Sequence, residues 1–246
     1  MKEISPFPKW LLALVIALLP DGRELGAAEA PPVGTVATNT VATANGTTNQ
    51  ESALVELFKK KEDITNTLGM VMVWVPDGYR VGRCEVTQEQ YEQLTGLNPS
   101  RSVGSQQPVE RVSWNEAVDF CQRLTEKERQ EGKLPKGYEY ALPTEKQWEY
   151  YVDSASVKDA IVSVVGDRRQ PMAVGLLPAN DYGLHDVRGN VWEWCSAPVA
   201  RGAGYMSHED YLELAFRFVG TPELKFEDIG FRCILSGGEP AGPAAL

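Results

Sequence analysis

Histidine is nearly absent from this chain. Only two occur in 246 residues, His185 and His208, so a metal centre built on three histidines is excluded within it. Cysteine is scarce as well. The four are Cys84, Cys121, Cys195 and Cys233, and none forms a Cys-x-x-Cys pair, which removes structural zinc sites of the usual spacing. Positive charge is the minority sign: 24 Lys and Arg stand against 34 Asp and Glu, for a net charge of −10. A surface of that sign repels phosphate, so nucleic acid is not an expected partner. The only basic run, Lys59 to Lys61, reads as a solvated helix face. Long apolar runs are missing too. The longest, "WLLALVIALL", has ten residues, against about 20 for a membrane-spanning helix.

That short run has the form of an export signal. Lys2 and Lys9 precede it and the small residues of "LGAAEA" follow. Cleavage is expected after Ala28, because cutting after Ala30 would leave Pro31 at the new terminus; an uncleaved anchor is the alternative. No cysteine follows the run, so a lipid anchor is not indicated. On this reading residues 1–28 are a signal peptide. The protein is exported, periplasmic or extracellular, and no membrane span remains after signal removal. Its cysteines then meet an oxidising compartment, where four allow three complete pairings.

Residues 29–50 are expected to be a disordered linker: from Pro31 onward they carry no charge and are rich in Thr, Ala, Asn and Gly. An N-terminal helix is placed at 51–67, where Leu54, Leu57 and Phe58 fall at helical spacing. "GMVMVWVP" reads as a strand with Val71, Val73 and Val75 on one face. Three capping boxes follow, at Thr87 with Gln90, Ser113 with Glu116, and Thr144 with Gln147. After Ser113, the residues Ala117, Phe120, Cys121 and Leu124 share one helix face; after Thr144, Trp148, Tyr151 and Val152 do the same. Periodicity fades between Ser156 and Ala179, and residues 236–246 read as a flexible tail. No internal repeat is visible. Short strands, a few capped helices and much irregular chain define an α+β class.

The densest stretch is "GLHDVRGNVWEWC", Gly183 to Cys195. It holds two of the six tryptophans, with Glu193 between them and Asp186 upstream. Glu193 has two readings of equal weight on spacing alone. It joins Asp186 around a hard cation such as Ca²⁺, which takes carboxylates and carbonyls together, or it forms an ion pair with an arginine such as Arg232. Further on, Ser207, His208 and Asp210 invite a Ser–His–acid reading. Sequence neighbours rarely meet that geometry, since the base approaches the nucleophile across a cleft, so a solvated loop histidine is the preferred reading.

Taken in order, "CEVTQEQYEQLTGLNPS", "PVERVSWNEAVDFCQRL", "YALPTEKQWEYYV", "NDYGLHDVRGNVWEWC" and "GFRC" resemble the formylglycine-generating enzyme family, also called the sulfatase-modifying factor family, over residues 68–235. The resemblance implies an elaborated C-type-lectin-like fold with limited regular structure. It also implies a structural Ca²⁺ held by the side chains of Asp186 and Glu193 and the carbonyls of Gly189 and Val191. It pairs Cys121 with Cys233, which leaves Cys84 and Cys195 as a second bridge by elimination. Active members resembling this chain carry two cysteines in a "GGSYMCHxSYC"-like stretch; with them they hold copper(I), activate O₂ and oxidise a substrate cysteine. Here the stretch is "RGAGYMSHEDYL", and those positions hold Ser207 and Leu212. Neither replaces a soft thiolate, so no catalytic residue and no copper are expected. A second family calcium loop, expected between Tyr151 and Ala179, is absent or shortened, and the segment between Val75 and Val81 is short.

These features lead to an exported, non-catalytic module that binds an extended peptide or a glycan on the surface from Arg201 to Glu227. The alternatives are an active formylglycine-generating oxidoreductase, or another oxidation on the same scaffold, and a purely structural domain.

Overall fold

The computed structural model describes residues 44–152, 155–158, 160–162 and 170–237. The signal segment with its cleavage point, most of the expected linker and nearly all of the expected tail lie outside the described residues. Among those described, no helix is long and apolar enough to cross a membrane.

Helix α1 spans Ala44–Lys59. It starts inside the stretch read from composition as linker, and this corrects that boundary. Helix nucleation is the costly step and propagation is cheap. Once Leu54 and Phe58 are packed against the core, the helix extends back through weaker residues. Its C-terminal end is fastened by Arg80, which is 2% exposed. The guanidinium donates to the carbonyls of Phe58 at 3.1 Å, Lys60 at 2.6 Å and Glu62 at 2.9 Å. It also lies over the rings of Phe58 and Trp74. One cation thus takes up carbonyls that a helix end leaves without partners.

Strands β1 (Ile64–Thr65), β2 (Val71–Val75) and β3 (Tyr79–Gly82) form an antiparallel meander. Helices α2 (Gln88–Thr95) and α3 (Trp114–Gln130) follow, then β4 (Tyr138–Ala141) and α4 (Glu145–Val152). All three capping boxes are formed. Gln90 and Glu116 close those of α2 and α3; at α4, Thr144 and Gln147 exchange bonds of 2.9 and 3.1 Å. The apolar stripe of α3 is buried as its spacing requires.

A second sheet is built from β5 (Trp192–Trp194), β6 (Val199–Arg201), β7 (Phe218–Val219) and β8 (Ile229–Gly230). Its order is β7-β6-β5-β8, with β5 and β8 parallel. The last strand, β9 (Ile234–Gly237), enters the first sheet between β3 and β4, in the order β1-β2-β3-β9-β4. That sheet is covered on both faces. Val73 and Val75 join Trp148 and Tyr151 on one side, while Met72 joins Phe120 and Leu124 on the other. Strand β2 is therefore buried across its pleat, which its valine alternation alone did not convey.

Candidate functional site

The tryptophan turn is set by strand alternation. Trp192 and Trp194 point into one core cluster, and Trp194 donates its indole N–H to the Val112 carbonyl at 2.9 Å. Glu193 points the opposite way and is 1% exposed. Parallel pairing of Glu193 with Gly230 brings Arg232 alongside it. Glu193 Oε1 accepts from Arg232 Nε at 2.8 Å and lies 2.7 Å from its Nη2. Oε2 accepts from the Trp148 indole at 3.1 Å and the Tyr151 hydroxyl at 3.4 Å. A carboxylate offers about four lone-pair positions, and all four are taken by this chain's own donors. The remaining N–H groups of Arg232 reach the Gly82 and His185 carbonyls.

The residues expected to hold calcium are engaged as follows. Glu193 is paired with Arg232, the arginine of the alternative reading. Asp186 fits a cation better, since one oxygen accepts from the Gly175 amide at 2.6 Å while the other is buried without a partner. Among the described residues, no three His, Cys, Asp or Glu side chains converge as a metal-binding group. The amides of the turn are claimed internally as well. Gly189 donates to Gly202, at a position where a Cβ would meet the Ile161 backbone. Asn190 Nδ2 and Val191 N–H both donate to Glu85, at 2.7 and 3.1 Å. Sequence reading passed over Glu85, although it stands in the quoted "CEVT" motif. Burial first, and then the neighbouring Asp186, push its carboxyl well above the usual range.

The stretch that would carry catalytic thiols is closed rather than open. Ser207 is 5% exposed, and its hydroxyl accepts from the Gly204 amide at 3.0 Å. Leu212 is buried in the core. His208 turns its ring to Asp210, both in solvent, so Ser207 and His208 form no catalytic pair. Beside them, Tyr211, Phe216 and Phe218 gather around Trp192, with Tyr211 and Phe216 centroids 4.4 Å apart.

An acidic group borders this surface. Glu110 is fully buried and accepts from the Arg101 and Ser102 amides. Arg101 pairs with Glu227, whose carbonyl accepts from the Tyr205 hydroxyl. Asp228 packs on Gly204 so closely that a Cβ there would lie 2.7 Å from its Oδ2. Burial chiefly, with added repulsion from Glu227 and Glu110, raises the Asp228 carboxyl from 3.8 to about 6. Between those values the folded state binds more protons than the unfolded state, so the stability contributed by this group is present at low pH and lost as pH rises through about 6. Urea midpoints measured at acid and neutral pH are expected to show this fall, and Asp228→Asn is expected to reduce it. An unchanged pH profile in that variant would remove Asp228 from the account.

Two of the cysteines meet and two do not. The sulfurs of Cys121 and Cys233 are buried 3.6 Å apart as thiols. Cys84 lies near Gly175, its thiol pushed up to about 11 by burial. Cys195 directly follows β5 with charged neighbours Glu193 and Arg201, its thiol also raised by burial. Cys84 follows β3 and Cys195 follows β5, and no contact between their sulfurs is seen among the described residues.

Two small twisted sheets, few helices and long irregular connections define a formylglycine-generating-enzyme-like protein of C-type-lectin-like fold. Residues 27–156 and 163–236 match the sulfatase-modifying factor enzyme 1-like domain, and the chain belongs to that family. It is 24% identical to the chaperone protein LppX of Paenibacillus barcinonensis, over 85% of this chain and 92% of that protein. It is 28% identical to inactive C-alpha-formylglycine-generating enzyme 2 of Bos taurus, over 55% of this chain and 52% of that one. Among solved structures, PvdO from Pseudomonas aeruginosa shares the fold, with a TM-score of 0.59 and 16% identity over 72% of this chain and 99% of that one.

Proposed function

We propose that this protein is an exported, non-catalytic member of its family that serves as a binding or accessory module. The observation that carries the reading is the state of positions 207 and 212. Ser207 closes a turn and Leu212 fills the core. Copper(I) prefers soft thiolate ligands, and this stretch offers it no thiol. Irregular loops on a rigid core suit ligand recognition, and the aromatic group around Trp192 provides apolar area for an extended peptide or a glycan. The names of two relatives, an inactive enzyme and a chaperone, agree with an accessory role.

The competing reading is an oxidoreductase of the formylglycine-generating type. A peptide bearing a sulfatase-type cysteine, incubated with the protein, copper(I) and a reductant, separates the two. No aldehyde above the protein-free control is expected by mass spectrometry. Turnover by the wild type would overturn the proposal. If Ser207→Cys with Leu212→Cys acquires turnover that the wild type lacks, the missing thiols account for the inactivity.

A further inference from the structure

Strand β7 is the outer strand of the second sheet. One of its edges pairs with β6, and among the described residues no strand pairs with the other. The hydrogen bonds show which groups stand on that open edge. Gly220 donates its amide to the Pro198 carbonyl at 2.9 Å. Bonded and non-bonded pairs alternate along an antiparallel ladder, so Phe218 is the residue bonded to Ala200, and Val219 is not bonded to Val199 opposite it. Val199 agrees with this pattern: its amide donates to the Ala197 carbonyl, and its carbonyl accepts from the Cys195 amide. The N–H and C=O of Val219 therefore face away from the sheet, on a residue that is 69% exposed. Arg217, just before the strand, makes no backbone hydrogen bond among the described residues. An edge in this state is a template for one more strand.

The side chains around the edge set the chemistry of what can join it. Phe218 turns to the aromatic group around Trp192, to which Phe216 also belongs. Exposed carboxylates stand beside that group. Glu213 closes the turn into Phe216, whose amide donates to its carbonyl at 2.9 Å, and Glu209 opens the short helical turn that carries Tyr211. Among the described residues neither glutamate has an ion-pair partner. The cations nearest in sequence are held elsewhere, Arg217 by Glu145 and Lys225 by Glu116, each at 2.6 Å.

We infer that the open edge of β7 receives an extended segment of a partner protein in which basic and apolar residues alternate. The inference rests on the reading of this surface as a binding module. The backbone of the segment pairs with Val219, as in recognition by strand addition. Its alternate side chains fall on opposite faces. One set lies against the aromatic group, and the other carries the positive charge that Glu209, Glu213 and a net charge of −10 attract. An acidic segment is repelled by the same groups, and a glycan has no row of N–H and C=O groups to pair with a strand.

Calorimetry on the whole chain tests this with three acetylated and amidated pentapeptides: Lys-Val-Lys-Val-Lys, Glu-Val-Glu-Val-Glu, and the lysine peptide with its inner amides N-methylated. The lysine peptide is expected to bind, the glutamate peptide is not, and N-methylation is expected to abolish binding although charge and side chains are unchanged. Val219→Pro removes the outward N–H and no bond to β6. Proline is tolerated on such an edge, so the melting temperature should hold while the lysine peptide weakens about fivefold, the size of one backbone hydrogen bond. The exposed pair Glu209→Lys, Glu213→Lys is expected to weaken it at least about tenfold. Equal binding of the glutamate or N-methylated peptide, wild-type affinity in either variant, or no binding of the lysine peptide at millimolar concentration would overturn the inference. Chitotriose separates that failure from failure of the broader reading: if it binds where the lysine peptide does not, strand addition is refuted and the binding module stands.

Discussion

Arg232→Met is expected to cost about 3–5 kcal/mol of folding stability, the usual loss when one partner of a buried ion pair is removed. The guanidinium is fully buried and, among the described residues, is the one cation paired with Glu193. It also eases the burial of Glu85 and Asp186, whose carboxyls it pulls back toward ionisation. Methionine leaves these carboxyls together in the core without the guanidinium that draws all three toward ionisation. The urea midpoint should fall with little change in slope, which marks lost stability rather than a different unfolded state. Adding Glu193→Gln should recover part of the loss, because the two residues share one interaction and their effects do not add. A single variant within about 0.5 kcal/mol of wild type, the range of a neutral surface change, would show that the pair does not hold the turn.

Oxidation should act in the opposite direction. Cys121 and Cys233 are 112 residues apart in sequence and 3.6 Å apart at sulfur, so a bond between them closes a long loop with little movement of the core. Chain-entropy arguments value such a closure at roughly 4–5 kcal/mol, before any strain. The oxidised protein is expected to melt roughly 10 °C above the reduced one. The double variant Cys121→Ser, Cys233→Ser should lose that difference, whereas Cys84→Ser should keep it. Peptide mapping after oxidation gives the direct answer. Cys121 recovered as an alkylated free thiol would refute the pairing.

The parts of the fold that were legible in the sequence are local ones. A capping box needs only a hydroxyl and an amide or carboxyl three residues on, so Thr87, Ser113 and Thr144 could be placed without knowing anything distant. The stripe from Ala117 to Leu124 is similarly a property of one helix. The overall topology came from the ordered family motifs and not from periodicity. What stayed hidden depends on which strands adjoin. Glu193 finds Arg232 because β5 and β8 run parallel, and nothing within the turn announces that pairing. Met72 is buried because helices cover the second face of its sheet. Glu85 and the bond from the Thr67 amide to Glu128 bring together segments more than 60 residues apart, and no local pattern encodes them. The start of α1 was missed for the opposite reason, since composition was read where an already nucleated helix simply continues.

The position of β9 has a consequence for synthesis. It is the last of the described strands to be made, yet it lies between β3 and β4, and Arg232 and Cys233 directly precede it. Until residues 232–237 have left the ribosome, β3 and β4 have no common neighbour, Glu193 has no counter-charge and Cys121 has no partner. A nascent chain stopped before that stretch therefore lacks the contacts that close its first sheet. Closure of the first sheet therefore waits for residues 232–237 to be made.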